Sequence, residues 1–466
     1  MPQFLRAHEM MEYVYNVADV AYPVSIRDQM NRARWLVAKA YDLGFFGPSR
    51  DAKYRRLLVC GGGAAGVTAA LYAQSLGIDT LLVERSPVPF LRQRHCRSRW
   101  IDPVQYDWSA NHWIMAAFPH AGPAMPLPWA ADRSNRLALR WHVRLNAALT
   151  NPFLTFRRSD RVIGTPFPIT DAAGNVLGIE VSFQSGAKEI FGMMLWCVGF
   201  GEERRFAPPN YTGFAFWETD PFEQPNWGMP SPPSGCRALV SGGGDGALQD
   251  VIRLATRRKS AIDVWRDIEV GGWSMPQEAR HVLFTAEDQA QRALLWCRRS
   301  SADEHNALQR LHDAYLQVVD DLTTLHPARA LLIEEVEKLL AANQFPILCV
   351  YPCTHFARCY SLNHFLVLLL AKVVTLRNLA GGPELRPQLG VSDVLGHPCA
   401  ANPWTCHGAA HIVNMQHRPL CFHPPGGAAG QGDAHVLVIR HGIAPHPAFF
   451  STPMAFARQV MPYHLP

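Results

Sequence analysis

The segment LLVCGGGAAGVTAALYAQSLGIDTLLVERS restricts the fold of this chain more than any other stretch. It sets Gly61, Gly63 and Gly66 in a G-x-G-x-x-G spacing between an apolar run and a run of helical character. A strand over Tyr54 to Cys60, a helix over Gly66 to Leu76 and a strand over Thr80 to Glu84 are predicted, which is a βαβ start. Gly61 permits the tight turn, Gly63 lets the backbone approach a diphosphate, and Gly66 lets helix and strand pack closely. Ala64 and Ala65 lead into the helix, where unpaired N–H groups and the helix dipole favour an anion. Glu84 stands 18 residues after Gly66, where a carboxylate accepts from both hydroxyls of a ribose, and Arg85 follows it. The unit reads as a dinucleotide site.

CRALVSGGGDGALQDVIRLATRRKS repeats the strand, glycine turn and helix at Ala238 to Thr256. Gly242, Gly244 and Asp245 form the turn, and Ala247 stands where the third glycine would be. Asp245 and Asp250 near the helix start stabilise it with or without a ligand. A strand is expected over Ala261 to Trp265, ending in Arg266, which suits a 2′-phosphate better than a free ribose. No internal repeat beyond the two glycine turns is expected.

VCGGGAAGVTAALYAQSLGIDTLLVERS resembles the opening of the FAD domain in flavoproteins with two dinucleotide-binding domains, where this stretch holds the AMP half of FAD. LWCVGFGEE, Leu195 to Glu203, is similar to the apolar strand and A-T-G-like turn that pass near the flavin there. Cys197, Val198 and Gly199 take the matching places, with Val198 departing from the usual small hydroxyl residue. GGGDG resembles the GGGD-S-A turn of the nicotinamide-binding domain in thioredoxin-reductase-like flavoproteins, Gly246 standing for Ser. The resemblance implies an α/β fold with a Rossmann-like FAD-binding domain and a second Rossmann-like NAD(P)-binding domain, to which the helical apolar spacing of Glu278 to Asn343 adds a helical insertion. It also implies FAD as cofactor and NAD(P)H as reductant, and with that site Arg266 favours NADPH.

With 466 residues the chain exceeds what one core usually serves. The expected organisation is a helical N-terminal extension over 1–53, the first part of the FAD domain over 54–207, and an NAD(P)-binding-like segment over 234–277. A helical insertion over 278–345 and a C-terminal segment over 346–466, returning to the FAD domain, complete it. The formal charge of +5 is spread too thinly for a nucleic-acid face. Apolar runs such as Phe365 to Val374 fall short of the roughly 20 residues of a membrane span. The N-terminus lacks a secretory pattern, and 11 cysteines, an odd number, favour reduced thiols and a cytoplasmic location.

The loop RQRHCRSRWIDPVQYDWSANHW, Arg92 to Trp113, follows the first unit, and by the resemblance this region approaches the flavin ring. Arg97, Arg99, Tyr106, Trp108 and His112 are therefore candidates to bind an anionic substrate or exchange protons, and Arg440-His441-Gly442 to return to the flavin. No C-x-x-C exists, which disfavours disulfide reduction, and Cys353, His355 and Cys359 lack the spacing of paired zinc knuckles. The reading is an FAD-dependent oxidoreductase, reduced by NAD(P)H and reoxidised by a small substrate or dioxygen, compatible with a homo-oligomer. A flavin-dependent monooxygenase is an alternative, although the F-x-G-x-x-x-H-x-x-x-W signature is absent. A non-catalytic nucleotide sensor, with its helical segment facing a partner, is the other.

Overall fold

The computed structural model describes residues 3–17, 25–106, 108–109, 126–128, 130–199, 201–203, 214–220, 237–297, 301–341, 346–396, 411–417 and 428–445. The chain forms two compact units, one of residues 1–95, 113–202 and 445–466, the other of residues 96–112 and 203–444.

In the first unit β1 (Glu9–Met11), β2 (Val14–Asn16), β3 (Leu57–Cys60), β4 (Thr80–Glu84), β5 (Leu154–Arg158) and a later strand, β9 (Met193–Trp196), form one sheet ordered β1-β2-β9-β3-β4-β5. From β2 to β5 the strands are parallel. Leu58, Cys60, Leu81 and Val83 are buried, and these short apolar strands carry no polar face because both sides of the sheet are covered. α1 (Ile26–Asp42), which opens on a Ser25/Asp28 capping box, packs against α2 (Ala64–Ser75). β6 (Val162–Thr170), β7 (Val176–Phe183) and β8 (Lys188–Phe191) form an antiparallel meander with turns at Asp171–Asn175 and Ser185–Gly186, as the sequence predicts.

Two expectations change here. The first strand begins at Leu57 rather than Tyr54, because Ala52–Tyr54 is a single helical turn capped by the Asp51 side chain. Residues 1–53 are more than a helical extension, since Val14–Asn16 pairs with β9 and widens the sheet.

In the second unit β10 (Ala238–Ser241), β11 (Pro346–Tyr351), β12 (Gly382–Pro387) and β16 (Val436–Ile439) form a parallel sheet ordered β12-β11-β10-β16. β13 (Leu389–Gly396), β14 (His411–His417) and β15 (Ala428–Ala434) form an antiparallel meander. The element order repeats that of the first unit. In each, a strand, glycine turn and helix precede a parallel neighbour, a helix, a third parallel strand, a three-stranded meander and a closing parallel strand. α3 (Ser134–Ala148) and α9 (Ser361–Arg377) fill the same step, as do α2 and α4 (Asp245–Thr256). The chain therefore holds a structural duplication, where the sequence reveals two glycine turns alone.

The duplication corrects the expected boundaries. β16 lies beside β10, so residues 346–444 complete the second unit instead of returning to the first. The expected strand Ala261 to Trp265 is α5 (Ala261–Val270), a helix capped by Ser260. α6 (Gln277–Trp296), α7 (Ala302–Thr324) and α8 (Arg329–Ala341) match the predicted helical stretch and lie between α5 and β11. Leu283, Tyr315, Val318, Leu332 and Val336 join the same core as Val240 and Val251, so these helices build the unit.

This core also holds neutral imidazoles. His312 Nδ1 and His364 Nε2 lie 2.9 Å apart, and Tyr315 stacks on His364 with ring centroids 4.3 Å apart. Burial pushes His312 down to about 4 and holds His364 and His355 below the usual histidine range. Folded values below the unfolded value near 6.5 mean that their stabilisation is complete above that pH and is lost as pH falls. Asp245, raised to about 6 by burial, works in the opposite direction, as do the buried carboxyls of Glu287 and Asp102, so the slope reports the excess of the histidines over these carboxyls. The melting temperature is expected to fall between pH 7.5 and 5, and His312→Leu to flatten that slope, as measured by calorimetry across the range.

Candidate functional site

The first cradle is assembled from three chain segments. Gly61 has φ +111° and donates its N–H to the Val83 carbonyl at 2.8 Å. A Cβ there would come within 2.5 Å of the Cys197 carbonyl oxygen, so the glycine is required twice over. A Cβ on Gly66 would overlap the Gly61 carbonyl oxygen, which fixes how closely α2 sits on the turn. Gly63 caps α2 without any side-chain bond to its first amides, and a Cβ on it would meet nothing within 4 Å. Backbone N–H groups at an uncapped helix start, reached through open space, are what a diphosphate needs.

Glu84 is held in place beside this turn. Its Oε2 accepts from the Gly62 amide at 2.6 Å and its Oε1 from the Ser86 amide at 2.8 Å, leaving lone pairs for a diol. Arg85 beside it is exposed. Phe90 donates its N–H to the Gly62 carbonyl at 2.9 Å and packs its ring on Trp141, so the chain after β4 folds back to brace the turn. Cys197 donates its N–H to the Cys60 carbonyl at 2.7 Å, which places Cys197, Val198 and Gly199 next to Gly61. Burial pushes the Cys60 and Cys197 thiols up, so they stay neutral and unreactive.

The second cradle repeats the backbone and changes the chemistry. Gly242 has φ +142°, and a Cβ there would overlap the Arg440 carbonyl oxygen as one on Gly61 approaches Cys197. Gly244 caps α4, again with open space at its Cβ position. Where Glu84 stands beside Gly62, Tyr351 stands beside Gly243, with its Cβ 3.1 Å from the position a Gly243 Cβ would take. Tyr351 is buried, so neither a carboxylate nor a guanidinium closes this strand. The Phe216 ring lies 3.1 Å from a Cβ built on Gly246. The Asp245 carboxyl accepts from the Tyr360 amide at 3.1 Å and from Asn363 at 2.5 Å.

Arg266 does not stand where the expectation for NADPH put it. It lies on α5, paired with Asp102 at 3.2 Å, and does not end a strand. The loop candidates at 96–112 fall in the second unit. The Arg97 amide donates to Thr219 Oγ1 at 3.2 Å, and Tyr106 rests its ring 4.8 Å from Tyr360. His112 lies outside the described residues. Trp108 packs in the core against Trp265 and Phe365. Arg440 belongs to the second unit, and Cys353 is disulfide-bonded where the cysteine count favours reduced thiols.

Sequence reading missed a buried charge cluster beneath the second turn. Asp250 accepts from Arg99 at 2.5 and 3.2 Å and from Arg440 Nε at 2.9 Å, while Arg253 bridges Asp220 at 2.6 Å. The Arg99 guanidinium lies 4.0 Å over the Phe216 ring. Burial alone would raise the Asp250 carboxyl, and the three guanidiniums hold it far below the usual carboxylate range. An aspartate amid the apolar positions of GALQDVIRLAT is the signal that could have revealed it.

The two cradles define an α/β protein with paired Rossmann-like units, each turning on its own glycine loop. No family model matches the chain, and no curated protein does. Among solved structures it is similar to thioredoxin reductase from Lactococcus lactis, at 11% identity and TM-score 0.39, over 85% of this chain and 80% of that one. It is similar to bacillithiol disulfide reductase from Staphylococcus aureus at 10% identity and TM-score 0.37, over 84% and 77%. A cyclohexanone monooxygenase mutant from Rhodococcus sp. Phi1, bound to NADP+, gives 14% identity and TM-score 0.39 over 84% and 72%. Among the described residues no helix is long and apolar enough to cross a membrane.

Proposed function

We propose that the chain is an FAD-dependent oxidoreductase that holds the ADP part of FAD in the first cradle and NAD(P)H in the second. The observation that carries this reading is the pairing of an open, uncapped helix start at Gly63 with a carboxylate fixed beside it at Glu84. A phosphate pair fits the amides from Ala64 to Gly66, and a ribose diol fits Glu84. Bound there, the flavin would supply the electron chemistry. The protein would bind the diphosphate through backbone, orient the ribose through Glu84 and set the 197–199 turn against Gly61.

For the second cradle the support is the open approach at Gly244, and the choice between NADH and NADPH no longer has a residue behind it. The reoxidising substrate is proposed to be a small molecule or dioxygen, with monooxygenation included. Tyr351 at the place of the ribose carboxylate favours a second reading, in which this cradle is structural and the protein is an oxidase or a nucleotide sensor. Anaerobic addition of NADH and of NADPH to purified protein separates the two. Bleaching of the flavin band near about 450 nm supports a nicotinamide donor, and an unchanged spectrum with flavin bound supports the second reading.

Gly63→Asp is expected to keep the fold and lose the cofactor, because its Cβ would meet nothing within 4 Å and its carboxylate would repel the diphosphate at the helix start. Flavin absorbance per protein should drop to background with an unaltered urea midpoint. Full flavin retention would remove the first cradle from the site.

A further inference from the structure

At the carboxyl ends of β4 and β5, beyond Glu84, lies a group of basic side chains. Glu84 and Arg158 are register partners on neighbouring parallel strands, so their side chains leave the same face of the sheet. Arg94, on the short helix Leu91–His95, places Nη1 2.7 Å from His142 Nδ1 on α3. That contact requires a neutral imidazole accepting from the guanidinium. His142 is held below the usual histidine range by burial, and by Arg94 and Arg158, with Asn146 acting in the other direction. Arg158 has a ring contact with Phe156 and, with Arg94 and His142, no carboxylate partner among the described residues. Elsewhere in this unit Arg56 and Arg157 are paired with Glu189.

We propose that Arg94, His142 and Arg158 form a binding site for a phosphate monoester, placed next to the ribose end of the first nucleotide cradle. Two guanidiniums present forked donors to phosphate oxygens, and the imidazole can add a third donor by taking up a proton. A dianion matches three such groups better than a carboxylate does. The location beside Glu84 rests on the proposed use of the first cradle, but the anion chemistry does not. The phosphate could belong to the ribose of an adenine nucleotide or be free.

Inorganic phosphate titrated into the full-length protein carrying 13C-labelled histidine tests the site, the His142 signal being assigned by its loss in His142→Gln. Saturable binding is expected, raising the His142 pKa by about one unit as an anion approaches it. Arg158→Gln, an exposed position, should weaken binding about tenfold through loss of one charged hydrogen bond, and Arg94→Gln should do likewise. Adenosine 2′,5′- and 3′,5′-bisphosphates are then compared with 5′-AMP. Tighter binding of a bisphosphate, lost in Arg158→Gln, assigns the phosphate to a ribose. Equal nucleotide affinities with phosphate binding intact assign it to a free phosphate. No response of His142 to phosphate or to any nucleotide, or the same response in Arg158→Gln, overturns the proposal. Phosphate binding without 5′-AMP or FAD binding would keep the anion site and remove the reading of the first cradle.

Discussion

Gly66→Ala is expected to destabilise the first unit by about 2–3 kcal/mol and to empty its cradle, the range that overpacking a tight contact reaches. The added methyl would overlap the Gly61 carbonyl oxygen and meet Cys197 Cβ at 3.3 Å. The obstacle is backbone, so no rotamer change relieves it. Either α2 lifts off the turn or the turn leaves its φ of +111°, and Gly61 is hemmed in by the Cys197 carbonyl. Both responses misdirect the amides from Ala64 to Gly66. The urea midpoint should therefore fall at unchanged slope together with flavin content. Gly63→Asp, whose Cβ meets nothing within 4 Å, should change flavin content alone. Equal midpoints for wild type and Gly66→Ala would sink the claim that close packing at this position sets the cradle.

The contrast between the two glycines also shows why the first cradle was legible in the sequence. Its turn, helix and second strand lie within one local run, and the apolar strands Leu57–Cys60 and Thr80–Glu84 are bounded by glycine and charge. The second cradle shares that local signal through Thr256, and the reading fails where pairing becomes distant. AIDVW looks like a strand because it is short, apolar and β-branched, yet Ser260-Ala-Ile-Asp263 already held a helix start, with Ser260 Oγ accepting from the Asp263 amide at 3.3 Å. The true neighbour of β10 is β11, beyond three long helices, and no periodicity reports a partner that remote. Tyr351 therefore could not be matched with Glu84 before the sheet order was known. Arg99 was visible as one of several arginines in a loop, but its partner lies 151 residues away.

Asp250→Ala is expected to cost about 3–5 kcal/mol in the second unit, the range for removing one member of a buried ion cluster. Asp250 is fully buried on α4 and accepts from Arg99, Arg253 and Arg440, so its loss leaves concentrated positive charge in a region water does not reach. Asp220 and Glu203 remain to pair Arg253 and Arg440, which limits the damage. Arg99 keeps its Nε bond to the Phe216 carbonyl at 2.8 Å, but its other carboxylate neighbour, Asp220, is 3.9 Å away. The sign with pH follows from the depressed carboxyl. Its contribution is complete above the unfolded aspartate value near 3.9 and is lost as pH falls below it toward the folded value. Wild type and Asp250→Ala should thus differ by a constant amount in chemical denaturation from pH 8 to about 5, and converge in strong acid. Asp250→Asn, which keeps the shape and loses the charge, should be destabilised as well. If Asp250→Asn matched wild type at neutral pH, shape rather than charge would be what holds Arg99, Arg253 and Arg440 beneath the second turn.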